Sequence, residues 1–259
     1  MAATETSVSA QAPAPIPPWC APPRELVLSA ASVHIWRANL DMGPEAVARL
    51  AGYLSPSERE RAGRFHFERD CLRYSAGRGV LRVLLGRYLK IPPLAIQFSY
   101  GAHGKPYIDS GVSFNLSHSH GLALYAFGER TGELGELGID VERLDLELDI
   151  EDIAENFFTW RELAEIRALP AGRRHERFFD FWTRKEAYLK GRGGGLSIPL
   201  NEFEVSQGAR LEGWSVLGLA PGPGYAGALV TTYASVQLRC FNWDEWDRSP
   251  HRDFAPEIK

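Results

Sequence analysis

Leu137-Gly138-Ile139-Asp140-Val141-Glu142 and, further on, Trp182-Thr183-Arg184-Lys185-Glu186-Ala187-Tyr188-Leu189-Lys190 carry the reading of this chain. The first stretch alternates apolar and polar residues, the period of a strand with one buried face. Asp140 and Glu142 therefore project from the same face while Ile139 and Val141 enter the core. The second has helical spacing, so that Trp182, Glu186 and Lys190 lie on one ridge. Its helix, from Phe178 to Lys190, has a broad aromatic face and is stopped by the glycine-rich run 191–195. Magnesium commonly takes one or two protein carboxylates and completes its shell with water and phosphate oxygens, so the Asp140/Glu142 spacing suits a phosphate-bound metal. Each pattern also has a plainer reading. A D-x-E pair more often marks a solvated strand face, and a Glu–Lys pair one turn apart contributes only a few tenths of a kcal/mol to a helix.

Working outward, the chain changes sign along its length. From Arg59 to Lys90 there are nine basic residues against three acidic ones; from Glu129 to Glu165 there are 13 acidic against three basic. The basic stretch points to an anionic ligand, or more plainly to a solvated helix face. Ser55-Pro56-Ser57-Glu58 opens it with helix-start signals: Ser at the N-cap, Pro first in the helix and Glu at the third position. Val33-His34-Ile35-Trp36 before it reads as a strand.

Between the two charged regions lie the turn Gly101-Ala102-His103-Gly104-Lys105-Pro106, the stretch Phe114-Asn115-Leu116-Ser117-His118-Ser119-His120, and an apolar strand from Leu122 to Phe127. The turn has a phosphate-loop look. Pro106, however, stands where Ser or Thr would hold a metal, and no helix can begin there, which excludes a nucleoside triphosphatase. His118 and His120 share a strand face without a third ligand, so a phosphate-contacting or hydrogen-bonding role suits His118 better than zinc. Thr159 and Glu162 form a second capping box, and the apolar runs around Phe203, Val216, Leu229 and Val236 read as antiparallel strands.

Composition narrows the class. The 259 residues are 44% apolar and 24% charged with a formal charge of −4, which excludes fibrous and disordered chains and disfavours a nucleic-acid binder. No apolar run is long enough to span a membrane. Cys20, Cys71 and Cys240 are odd in number and widely separated, which implies a reducing, cytoplasmic setting. The first 23 residues contain six prolines and the single charge Glu5, so residues 1–24 are expected to form a disordered tail; without a basic residue before Arg24 it is not a targeting peptide.

Gly104-Lys105-Pro106, Phe114-Asn115-Leu116-Ser117-His118-Ser119, Gly138-Ile139-Asp140-Val141-Glu142 and Trp182 to Lys190, in this order and at this spacing behind an Arg-rich helix, closely resemble the Sfp-type 4'-phosphopantetheinyl transferases. The resemblance spans residues 33 to 243. It implies an α+β fold of two similar two-layer halves packed as an intramolecular pseudo-dimer, divided here into residues 25–135 and 136–259, with coenzyme A in the cleft between them. It further implies magnesium-dependent transfer of the phosphopantetheine arm of coenzyme A to a serine of an apo acyl or peptidyl carrier protein, in fatty-acid, polyketide or nonribosomal peptide synthesis, by a monomer.

By the same resemblance Asp140, Glu142 and Glu186 hold the metal, and Glu186 and Lys190 are catalytic. Lys190, Arg61, Arg73, Arg78, Lys105, Pro106, Asn115, Ser117 and His118 contact coenzyme A. Glu58 departs from the pattern: some members have a lysine there facing the 3'-phosphate, a contact that passes to Arg61. The alternatives are a magnesium-dependent phosphodiesterase or nuclease using the same carboxylates, or a coenzyme-A-binding protein without catalysis.

Overall fold

A computed structural model of the chain describes residues 16–30, 32–131, 135–194, 198–206, 211, 213–233 and 235–247. Strand β1 (Ser32–Asn39) leads to helices α1 (Pro44–Ala51), α2 (Pro56–Ala62) and α3 (Glu68–Leu89). The short strands β2 (Ser99–Tyr100) and β3 (Pro106–Tyr107) precede β4 (Val112–Ser119), β5 (Leu122–Glu129) and β6 (Leu137–Arg143). Helices α4 (Ile150–Phe157), α5 (Trp160–Ala168) and α6 (Ala171–Arg192) follow, then β7 (Ser215–Leu219), β8 (Tyr225–Thr231), β9 (Gln237–Asn242) and α7 (Trp243–Asp247).

The strands form a four-stranded sheet ordered β4-β5-β1-β9, a three-stranded sheet ordered β6-β8-β7, and the β2–β3 pair. The architecture is α+β, with a 22-residue helix on the outer face of each main sheet: α3 on the first, α6 on the second. Alternation along the strands divides the core. Trp36, Tyr125 and Phe127 turn toward α3, while Val33, Ile35, Leu124 and Ala126 turn inward to meet Ile139, Val141 and Leu229 of the second sheet. Both predicted capping boxes are present, Ser55 with Glu58 and Thr159 with Glu162. Gly193, at a left-handed φ of 64°, ends α6 as the glycine run predicts, and its N–H donates to the Leu189 carbonyl. Gly195 lies outside the described residues.

Three expectations are corrected. The basic stretch is two helices rather than one, because α2 ends at Gly63 and α3 starts only at Glu68. The strand expected near Val236 runs parallel to β1, not antiparallel: Phe241 faces the α3 side and Cys240 the inter-sheet core, while Gln237 and Arg239 at its start are exposed, an alternation that fits either strand direction. Phe203 belongs to no strand and follows a single 3-10 turn, Leu200–Glu202.

The tail is also held sooner than expected. Residues 1–15 lie outside the described residues, but the Trp19 indole N–H donates to the Ala220 carbonyl (2.6 Å) and the Arg37 guanidinium sits 4.8 Å over its ring. Cys20 exchanges backbone hydrogen bonds with Cys240 and Asn242 along the β9 edge. These contacts outweigh a Pro-rich composition that by itself favours disorder.

Gly138 sets how closely α6 approaches β6, since a Cβ there would strike the Ala187 carbonyl oxygen and the Gly191 backbone. The obstacle is backbone that cannot rotate away. Gly138→Ala is therefore expected to cost about 3 kcal/mol or more, at the upper end of overpacking, and to lower Tm by roughly 6–12 °C. A thermal melt with Tm unchanged would show that the helix can lift without cost.

Candidate functional site

The site is built where two sheet edges meet. β4 ends one sheet, β6 ends the other, and β6 lies against β4 and β5. The period of two puts Asn115, Ser117 and Ser119 on one buried face of β4, turned toward β6. The Ile139 N–H donates to Asn115 Oδ1 (2.8 Å), the Ser117 hydroxyl to Asp140 Oδ1 (2.8 Å), and the Ser119 hydroxyl to Glu142 Oε2 (2.7 Å). The Arg143 N–H donates to Ser119 Oγ (3.1 Å). The polar run in β4 is thus the seam between the sheets.

Lys190, on the last turn of α6, reaches the same point. Its ammonium donates to Asp140 Oδ1 at 2.6 Å and to Ser117 Oγ at 2.8 Å. Asp140 is 1% exposed, which rules out the solvated-face reading of its strand. Its other oxygen, Oδ2, is buried with no hydrogen-bond partner among the described residues. An orphaned carboxylate oxygen in an otherwise satisfied cluster marks the place of a missing donor or cation.

Glu142 and Glu186 complete the cluster electrostatically. Burial raises the Glu186 pKa, the neighbouring Asp140 raises it further, and Lys190 only partly opposes them. Burial likewise raises that of Glu142 and Asp140 adds to it, against the Ser119 hydrogen bond and Lys190. As placed, no three His, Cys, Asp or Glu side chains among the described residues stand close enough together to hold a metal ion. Lys190 is the cation that meets Asp140 here.

A cleft of about 260 Å³ opens beside this cluster, lined by Lys105 and Pro106 of the turn, Asn115 of β4, and Glu186 and Lys190 of α6. Lys105 is not a free cation. Its ammonium donates to the carbonyls of Leu137 (3.0 Å) and Gly191 (2.9 Å) and lies 3.4 Å from Glu136, so it ties the turn to β6 and α6. Burial lowers its pKa despite Glu136. The pKa of His118 is lowered by partial burial, then by the charges of Lys190 and Arg73.

The remaining predicted arginines are placed apart from this cleft's lining. Arg61 lines a wider cavity of about 680 Å³ with Arg64, Phe65, Tyr74 and Tyr100, and its guanidinium lies 5.6 Å over the Tyr74 ring. Arg73 is paired with Asp41. Arg78 is buried: its Nε and Nη2 donate to Glu58 Oε1 at 3.0 and 2.6 Å, and Arg82 Nε donates to Oε2 at 2.6 Å. Burial would raise the Glu58 pKa, but Arg82, the Ser55 N–H and Arg78 together hold it below the usual range. Glu58, the departure noted in the sequence, is thus a helix cap and an anchor for two arginines.

Sequence reasoning missed Ser119, although its place two residues beyond Ser117 on one strand face carried the signal. It also missed the partner of Lys185, whose ammonium is fully buried 2.8 Å from Glu162 and donates to the carbonyls of Leu200 and Phe203. The Lys185 pairing is a long-range contact that no local pattern announces.

A family model described as the 4'-phosphopantetheinyl transferase superfamily matches residues 136–222, and one described as 4'-phosphopantetheinyl transferase, N-terminal, matches residues 43–128. The 4'-phosphopantetheinyl transferase HetI of Nostoc is 39% identical over 87% of this chain and 95% of its own length. The Bacillus subtilis transferase Sfp is 31% identical over 63% of this chain and 71% of its own. The Aneurinibacillus migulanus transferase gsp is 32% identical over 61% and 64%.

The raised carboxylate pKa values have a stability consequence. A group whose folded pKa is raised above its ordinary value favours the fold fully only below that ordinary value, and the advantage is lost as pH rises through the folded value. Ionised Glu186 is therefore a burden at pH 7. Glu186→Gln is expected to raise Tm at pH 7, without added metal, by about 2–4 °C, the scale of roughly 1 kcal/mol. A fall in Tm would mean that favourable pairing of Glu186 outweighs its burial and the repulsion from Asp140.

Proposed function

The chain belongs to the 4'-phosphopantetheinyl transferase superfamily and is an enzyme that modifies carrier proteins; from this premise we propose that it moves the arm of coenzyme A onto a serine of an apo acyl or peptidyl carrier protein, with magnesium, releasing adenosine 3',5'-bisphosphate. The carrying observation is Asp140: a buried carboxylate with one oxygen held by Ser117 and Lys190, the other unpartnered, and two further carboxylates coupled to it. Hard oxygen donors and an orphaned anionic oxygen suit magnesium, and Asp140, Glu142 and Glu186 are the residues that would hold it, drawn closer together than they stand here. When bound, the ion supplies positive charge and orientation to the pyrophosphate.

The side chains supply the rest. Lys190 adds positive charge at the phosphates, and Lys105 with Pro106, Asn115, Ser117, His118, Arg61 and Arg73 forms the coenzyme A contact set; Arg78, buried against Glu58, drops out of it. A serine hydroxyl is a poor nucleophile facing a negatively charged pyrophosphate, so proton removal and alignment are the tasks left to the protein. Glu186 takes the serine proton, directly or through one water, as its oxygen attacks phosphorus and the bond to the bisphosphate breaks. The raised pKa of Glu186 moves it toward the range where a carboxylate works as a base near neutral pH. In this reading residues 25–135 supply nucleotide contacts and residues 136–259 the metal and proton-transfer groups. One chain with both halves acts as a monomer, and its free cysteines suit the cytoplasm.

Incubation with coenzyme A, magnesium and a panel of apo carriers, followed by intact-mass measurement, is expected to show one phosphopantetheine added to a carrier serine. Glu186→Gln should lower kcat by about 100-fold or more, the scale for losing a general base. Near-normal turnover by that variant would dismiss the role of Glu186. Hydrolysis of coenzyme A without transfer, or binding without any reaction, would replace the carrier-modifying reading.

A further inference from the structure

Arg73 is the one predicted phosphate contact whose guanidinium is held by a carboxylate outside every motif singled out in the sequence. Its Nε donates to Asp41 Oδ1 at 2.7 Å and its Nη2 to Asp41 Oδ2 at 2.8 Å, the two-pronged geometry that fixes a guanidinium plane in direction as well as position. Asp41 stands two residues past the end of β1, and its own backbone N–H donates to Asn39 Oδ1. Arg73 stands on the second turn of α3, its side chain 17% exposed.

A third element closes on this pair. The turn between β4 and β5 contains His120, at a left-handed φ of 53°, and Gly121. The Leu40 N–H donates to the Gly121 carbonyl at 2.7 Å, which draws the turn against the end of β1. A Cβ at position 121 would strike Asp41 Oδ2 and stand 3.6 Å from Arg73 Nη2. The glycine is there because the carboxylate occupies the space a side chain would need. Ser119 and His118, the last residues of β4, lead straight into this turn, and the charge of Arg73 reaches His118.

Arg73 therefore differs from Arg78, which is sunk among protein partners, and from Arg61, which forms no ion pair among the described residues and lies over the Tyr74 ring. It keeps a partly exposed edge while its direction is set by Asp41. We propose that Asp41 is a positioning residue for coenzyme A binding: it aims the Arg73 guanidinium at the phosphates from the His118 side of the site and braces the β4–β5 turn, acting through Arg73 rather than on the ligand. The inference rests on the coenzyme A reading above.

The test uses the full chain with coenzyme A, magnesium and an apo carrier that the wild type modifies. Asp41→Asn is expected to raise KM for coenzyme A about tenfold while changing kcat less than about threefold, because Arg73 is misdirected but the proton-transfer groups are intact. Arg73→Gln should do the same, and the double variant should be no worse than Arg73→Gln alone, since Asp41 acts only through Arg73. Gly121→Ala approaches the same point sterically and should also raise KM by displacing the Asp41 carboxylate. Variants that lower Tm yet leave KM for coenzyme A unchanged would reduce the pair to a structural clasp and overturn the proposal. Additive effects in the double variant would overturn it too, by showing that Asp41 does not work through Arg73. If the wild-type protein neither binds coenzyme A by calorimetry nor modifies any carrier, the reading beneath the proposal fails first, and it is seen to fail separately.

Discussion

The meeting of β4 with β6 is the constraint on which the rest depends. Each strand is the edge of its sheet, and an edge strand carries backbone N–H and C=O groups without a ladder partner. Here side chains take over that work: Asn115 Oδ1 accepts the Ile139 N–H and Ser119 Oγ accepts the Arg143 N–H. The face that seals the seam is the face that delivers Ser117 to Asp140. Because side chains alternate with a period of two, slipping β4 by one residue would turn Asn115, Ser117 and Ser119 away and bring Leu116 and His118 against β6. Fold and chemistry thus share one register, so neither can shift without the other.

That seam carries a charge arrangement unlike that of the other buried carboxylates among the described residues. The structural buried carboxylates are answered in full: Glu58 receives Arg78, Arg82 and the Ser55 N–H, and Glu162 receives Lys185 and the N–H groups of Thr159 and Val205. Asp140 is left with an unpartnered oxygen, and Glu142 and Glu186 have raised pKa values from burial and from Asp140. A cluster built only for stability would not leave acids in this condition, since a buried acceptor without a partner costs about 1–3 kcal/mol. The imbalance is one that a divalent cation would relieve, and the fully satisfied pairs elsewhere hold the scaffold while it stands.

How much of this was legible depended on range. Local rules worked: Ser55 and Thr159 were readable as caps, Gly193 as a stop, and Asp140 with Glu142 as one strand face, because each follows from a few neighbouring residues. The likeness to a known family brought Glu186 and Lys190 to Asp140, which spacing alone could not, since β6 and α6 are far apart in the chain. What stayed hidden were pairings set by tertiary contact. Nothing near Cys240 announces that its strand runs parallel to β1, and nothing near Trp19 announces that a Pro-rich arm docks on Ala220.

The basic region shows the same limit in charge. Counted along the chain, Arg59 to Lys90 has a surplus of six positive charges, which reads as a surface waiting for an anion. In space, Arg78 and Arg82 are consumed by Glu58, which itself lies just outside the counted stretch, and both guanidiniums stack on Phe98 at 4.4 and 5.1 Å. Arg73 is shared with Asp41, also outside it. The field an approaching phosphate meets is therefore set less by the number of arginines than by which carboxylates, from the segment between β1 and α1 and from α2, claim them first. Charge tallies along a sequence bound the attraction from above, and only the pairing geometry decides what remains for a ligand.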